Sequence, residues 1–138
     1  MKPYYRSIDG AFILFLGDSF NLLSNLNNNF DMVFADPPYF LSNNGLTISN
    51  GKIASVNKGN WDKSKDYDYI DNFNYKWLSL VRERMKDNAT IWISGTYHNI
   101  FNIGNTLNLL GFKILNVITW QKTNPPPNFS CKYFTHSS

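Results

Sequence analysis

Four short apolar runs, residues 11–16 (AFILFL), 32–35 (MVFA), 89–94 (ATIWIS) and 112–121 (FKILNVITWQ), alternate along the chain with segments of helical character. This alternation restricts the fold more than any other feature. A run that is apolar at consecutive positions reads as a strand buried on both faces, and strand–helix–strand repeats build parallel sheets through right-handed crossovers. The sequence therefore predicts an α/β protein with a mostly parallel sheet and helices on both faces.

The intervening segments carry their own signals. Ser19 is placed to cap a helix whose apolar residues are Phe20, Leu22, Leu23 and Leu26, ending at the asparagines 27–29. Residues 72–86 place Phe73, Trp77, Leu80 and Val81 at helical spacing, with Arg82, Arg84 and Lys86 in the last turn and Asp87-Asn88 as the break. Residues 99–110 read as a helix stopped by Gly111. Residues 40–66 are polar, hold glycines at 45, 51 and 59, and lack periodicity, so they read as one long mobile loop. Trp77, Trp92 and Phe73 are expected in the core.

At 138 residues the chain is sized for a single domain. A net charge of +3, a pI near 9.0 and an aromatic content of 17% suit a polyanionic partner with flat rings, such as nucleic acid. The single cysteine, Cys131, excludes an internal disulfide and reads as a structural thiol in a reducing compartment. No run approaches a membrane span, and the amino-terminal MKPYYRSIDG lacks a signal-peptide core, which together point to the cytoplasm. His98 and His136 have no partner at metal-ligand spacing, so no metal site is expected. Lys58, Lys63 and Lys65 flank Trp61 in the long loop, where they serve either to track phosphates or simply as a solvated surface.

In parallel α/β sheets ligands collect at the carboxyl ends of the strands. Three motifs fall there: Gly17-Asp18, Asp36-Pro37-Pro38-Tyr39 and Ser94-Gly95. The second carries the sharpest chemistry. An exocyclic amine of a nucleobase is a poor nucleophile because its lone pair is delocalised into the ring. Two acceptors aimed at its two hydrogens favour a tetrahedral nitrogen in the transition state. The Asp36 carboxylate is one such acceptor and the Pro37 carbonyl the other. Two prolines in succession hold that carbonyl in advance, and Tyr39 offers a face for an extruded base. Asp-Pro and Pro-Pro also occur in ordinary turns, but an adjacent proline pair has odds of roughly one in 400 at a given site.

With these residues the chain resembles the amino-methylating DNA methyltransferases, whose hallmark is D/N/S-P-P-Y/F/W, Asp in first place favouring adenine. The segments ADPPYFLSNNG, SVNKGNWDKS, TIWISGTYHNI and GFKILNVITWQKTNPPPNFSCKYFTHS extend the likeness. They resemble the permuted (β-group) adenine methyltransferases of restriction–modification systems, especially those acting on GATC, with GANTC enzymes as relatives. The similarity runs from about Phe12 to the last residue.

The resemblance implies a Rossmann-like sheet, S-adenosylmethionine as cofactor, DNA as substrate and a restriction endonuclease as functional partner. It makes Asp36, Pro37, Pro38 and Tyr39 catalytic. Gly17 and Asp18 become contacts to the adenosine part of the cofactor, shared with Asp36, and Lys122, Asn124 and Pro125 become a wall around the target base. One departure stands out: the family's F-x-G-x-G turn is absent, since the chain has no G-x-G. The expectation is thus an incomplete, amino-terminal catalytic portion that is inactive alone. Two strands should be missing between residues 12–16 and 32–35, leaving an interrupted sheet. Methylation of the cytosine amine, or a non-catalytic DNA-binding remnant, stand as alternatives.

Overall fold

The computed structural model describes residues 2–27, 29–40, 46–49, 52–55, 65–121, 123 and 136–137. Its elements, in chain order, are β1 (Tyr5–Arg6), β2 (Ile13–Leu14), α1 (Ser19–Asn25), β3 (Phe30–Ala35), β4 (Leu46–Ser49), β5 (Lys52–Ser55), α2 (Tyr67–Glu83), β6 (Met85–Ile93), α3 (Ile100–Leu109), β7 (Trp120–Gln121) and β8 (His136–Ser137). Among the described residues the class is α/β, with small sheets and three helices.

The centre is the parallel pair β3–β6, in which Met32, Val33, Phe34 and Ala35 lie opposite Thr90, Ile91, Trp92 and Ile93. The register shifts between Phe30 and Met32, and Lys86 meets Asp31 there at 2.6 Å. Side chains alternate across a strand, so each face of the pair takes every second residue. Val33, Ala35, Ile91 and Ile93 pack against Trp77, Leu78 and Val81 of α2, Ile103 of α3, and Met85, with Phe20 and Leu23 of α1 at the margin. Met32, Phe34 and Trp92 point the other way and are 58%, 68% and 47% exposed. All three helices serve one core on one face. The expectation of helices on both faces is therefore corrected for the described residues, and Trp92 is not a core residue: its register partner is Phe34, on the open side.

Each helix has a local cause. In α2 the side chain of Asp66 accepts from the Tyr69 amide at 2.9 Å, which starts the helix at Tyr67, ahead of the expected residue 72. Its stripe of Ile70, Phe73, Trp77, Leu78 and Val81 faces the core, with the buried Asn74 set among them. It ends at Arg84, whose guanidinium donates to the Leu23 carbonyl at 3.0 Å and so serves the open end of α1. Asp87 and Asn88 do not break the helix; they lie within β6, which starts at Met85 because the chain turns straight into pairing with β3. The cap of α1 is Asp18, not Ser19, through a bond from the Asn21 amide at 3.0 Å. After α3, Gly111 adopts φ +77° and donates to Asn108, while Phe112 donates to Leu107. This double closure explains the stop seen in the sequence.

Three further expectations are corrected. The run 11–16 is not a buried parallel strand: only Ile13 and Leu14 pair, antiparallel to Tyr5 and Arg6, and Phe12 and Leu16 are exposed. Among the described residues β2 pairs with β1 alone, in a sheet separate from β3, and stays exposed. Among the same described residues β6 is the only strand paired to β3. The run 112–121 forms a strand only at Trp120–Gln121, paired with His136–Ser137. An apolar run without a ladder cannot satisfy its backbone as a strand, and an open groove of about 680 Å³ separates residues 111–118 from β6. Finally, residues 40–66 are not one irregular loop, since β4 and β5 within them pair antiparallel. There the backbone groups find partners in a ladder, which a reading by side-chain periodicity did not reveal.

Candidate active site

Because β3 and β6 run parallel, their carboxyl ends emerge side by side. The Ser94 amide continues the ladder by donating to the Ala35 carbonyl at 3.0 Å. The next residue of β3's chain is Asp36, and Ser94 lies opposite. The Ser94 hydroxyl donates to Asp36 Oδ1 at 2.5 Å, and the Tyr39 hydroxyl donates to the same oxygen at 2.6 Å. The two hydroxyls are 3.2 Å apart. Two of the three motifs expected at the strand ends thus meet in one cluster.

Hydrogen bonds to a carboxylate orient it and strengthen it as an anchor. Tyr39 feels the reverse side of this contact: partial burial first, then its bond to Asp36, push the phenol above the ordinary tyrosine range. It is held as a neutral donor whose ring is tied to the carboxylate. The backbone of the turn is gripped as well, since Asn99 Nδ2 donates to the Pro38 carbonyl at 3.1 Å.

Phe40 completes the turn. It takes φ +56°, which a side chain with a Cβ rarely adopts, yet it is buried. Its ring packs edge-on against Phe73 and Tyr69 of α2, with centroids 5.4 and 6.1 Å away. Edge-to-face aromatic contacts and burial offset a local strain of about 1–2 kcal/mol. The aromatic anchor holds Phe40 in this left-handed conformation directly after Tyr39. Gly95, after Ser94, allows α3 to begin close by: a Cβ there would lie 2.9 Å from Ile100 Cδ1.

The other expected residues are distributed differently. Asp18 caps α1, its carboxylate bonded to the Asn21 amide, and Gly17 precedes it beside Leu22. Neither is joined to the Asp36 cluster by a hydrogen bond among the described residues. Lys122, Asn124, Pro125 and Lys58 lie outside the described residues, as do Cys131, Trp61 and Lys63. No group of three or more metal-ligating side chains occurs among the described residues. His98, whose imidazole is held below its ordinary value by burial, lies against the Tyr97 ring, with centroids 3.9 Å apart and the planes tilted by 31°.

Sequence reasoning placed Ser94 only at the rim and did not single out Phe40 or Asn99. A polar residue within a run of apolar ones, or an asparagine before a helix, was the available signal. What each one touches depends on residues far along the chain.

This arrangement can present a fixed carboxylate and a fixed backbone turn to a polar group, beside an aromatic ring. Comparison with known proteins gives the family. The DNA methylase model of the N6/N4 type matches residues 30–138. The chain is 56% identical to the type II methyltransferase M2.MboI of Moraxella bovis, over the whole chain and 51% of that protein. It is 53% identical to type II methyltransferase M2.DpnII of Streptococcus pneumoniae and 54% identical to type II methyltransferase M2.LlaDCHI of Lactococcus lactis subsp. cremoris. In both cases 99% of the chain and 51% of the relative are covered. The chain spans about half the length of these curated relatives. With the family model covering most of the chain and Asp36-Pro37-Pro38-Tyr39 at the end of a parallel strand, the chain belongs to the N6/N4 DNA methylase family.

Proposed function

We propose that this chain carries the catalytic portion of an adenine-specific DNA methyltransferase, in which the DPPY turn receives a flipped adenine and directs its N6 amine at a methyl donor. The observation that carries this reading is the convergence of Ser94 and Tyr39 on Asp36 Oδ1 at the carboxyl end of the β3–β6 pair. A carboxylate so held accepts a hydrogen of the amine. The Pro37 carbonyl accepts the second, and the Tyr39 ring stacks on the base. Both acceptors strengthen their bonds as the nitrogen becomes tetrahedral, which is where catalysis is gained.

S-adenosylmethionine supplies an electrophilic methyl group when bound. The residues here fit part of its pocket: Gly17 and Asp18 for the adenosine, with Asp36 at the reacting end. Asp18 is exposed at the start of α1, with its cap bond as a ready orientation. The glycine-rich turn of the family is not in these 138 residues, which span about half the length of the curated relatives they match. On this reading the described strands are part of a larger Rossmann-like sheet, residues 1–138 form the catalytic portion of one domain, and Lys122, Asn124, Pro125 and Lys58 approach the DNA. The resemblance to GATC enzymes makes GATC the target, a restriction endonuclease the functional partner and the cytoplasm the compartment.

The test is methyl incorporation into duplex DNA by the whole polypeptide that carries this chain, followed by mass analysis of the modified nucleoside. Asp36→Ala should lower the single-turnover rate by about 10²- to 10³-fold. An unchanged rate would overturn the catalytic assignment, and N4-methylcytosine as product would replace adenine with cytosine.

A further inference from the structure

The apolar stripe of α2 is interrupted at its centre by Asn74, which is 0% exposed, and Asn99 before α3 is buried as fully. Buried amides are expensive unless each polar atom is satisfied, so their partners reveal what they are held for. The Trp77 indole donates to Asn74 Oδ1 at 3.0 Å. Asn74 Nδ2 donates to Asn99 Oδ1 at 2.7 Å and to Asn102 Oδ1 at 2.5 Å. Asn99 Nδ2 then donates to the Pro38 carbonyl at 3.1 Å. Asn102 in turn donates to the carboxylate of Asp71.

We propose that the relay Trp77–Asn74–Asn99 positions the DPPY turn for methyl transfer, with Asn99 the positioning residue that sets the direction of the Pro38 carbonyl. The proposal rests on the catalytic reading of that turn. The relay has a sense imposed by chemistry. An indole nitrogen can only donate, so Asn74 must present its oxygen to Trp77 and its amino group to Asn99. Asn99 must then present its oxygen to Asn74, which leaves its amino group facing Pro38. Flipping either amide would set donor against donor or acceptor against acceptor in a buried site.

The turn has little other freedom. The ring of Pro38 locks φ, so the carbonyl direction decides ψ and with it the placement of Tyr39 relative to Asp36. Asn99 also gives up a commoner task. It stands at the N-cap of α3, where an asparagine usually accepts from the first turn, but it makes no side-chain cap bond. Its amide is committed to the active-site turn instead.

The experiment uses the whole polypeptide with S-adenosylmethionine and duplex DNA, and compares Asn99→Leu, Trp77→Phe and Ile103→Val. Ile103 is a buried core residue of α3 outside the relay and reports on packing alone. Single-turnover methyl transfer is measured well below each melting temperature, together with dissociation constants for cofactor and DNA.

Asn99→Leu should slow transfer by about 10- to 100-fold while both dissociation constants stay within about two-fold, as expected for misplacement of reacting groups. Trp77→Phe keeps a smaller aromatic ring and removes the donor, and should slow transfer by about 3- to 10-fold on the same mechanism. Ile103→Val should lower the melting temperature without slowing transfer. The relay is overturned if folded Asn99→Leu transfers at the wild-type rate, or if Ile103→Val slows transfer as much as Asn99→Leu does. Should Asn99→Leu not fold, an unchanged rate in Trp77→Phe overturns it equally. Asp36→Ala in the same assay keeps the two ideas apart: if Asp36→Ala is inactive and the relay variants are normal, the relay fails and the catalytic reading stands.

Discussion

The two faces of the β3–β6 pair come from the same residues in alternation and have opposite surroundings. Val33, Ala35, Ile91 and Ile93 lie under α2 and α3 with Leu78 and Ile103 fully buried against them. Met32, Phe34 and Trp92, one position removed in each case, remain exposed. Hydrophobic character is the same on both sides. What differs is cover, and the difference teaches that apolar side chains stabilise a sheet only where another element removes them from water. It also bears on how the Asp36–Phe40 turn is held: Ser94 just after β6, Asn99 before α3, and Tyr69 and Phe73 of α2 all contact it.

The strongest way to break this comparison is Leu78→Ala. It opens a cavity under the covered face and should cost about 2–5 kcal/mol in denaturant unfolding of the chain. A loss well under 1 kcal/mol would mean that the covered face is not the source of stability.

A smaller effect lies at the rim between the two faces. Tyr39 is raised above its ordinary value, first by burial and then by its bond to Asp36. The folded state therefore favours the neutral phenol. Its contribution to stability is whole below the ordinary tyrosine value and is lost as the pH rises through the higher folded value. The phenolate absorbance titration of the wild type minus that of Tyr39→Phe should isolate a component ionising above the ordinary range. If that component ionises at or below the ordinary range, the Asp36–Tyr39 contact is not formed in solution.

The smallest effect is expected on the open face. Phe34→Ser should change the stability of the 138-residue chain by no more than about 0.5 kcal/mol, since the ring has little burial to lose. It should also reduce self-association, measured by sedimentation, because a contiguous apolar face is what associates. A loss comparable with that of Leu78→Ala would show that the open face is covered after all.

Much of the architecture was legible because it is local. The strand at 32–35, the helix ending at Gly111 and the core place of Trp77 follow from periodicity and stop signals within a few residues. The failures share a cause. Residues 11–16 and 112–121 are apolar enough for buried strands, but a strand exists only if a neighbour supplies its ladder. Trp92 has the character of a core residue and the wrong parity for the covered face. The start of α2 was missed because Asp66, its cap, precedes residues whose apolar spacing is irregular.

By itself the sequence determined the chemistry on offer. Asp36, Pro37, Pro38 and Tyr39 are consecutive, so their carboxylate, restricted backbone and ring are bound together by covalent geometry whatever the rest of the chain does. Only the tertiary structure decided what holds them. Ser94 and Asn99 reach Asp36 and Pro38 across 58 and 61 positions of sequence. That meeting depends on the parallel register of β3 with β6, which burial of one sheet face selects, and on a buried amide in α2 whose direction is set by an indole. Such contacts arise from packing in three dimensions, and no local pattern encodes them.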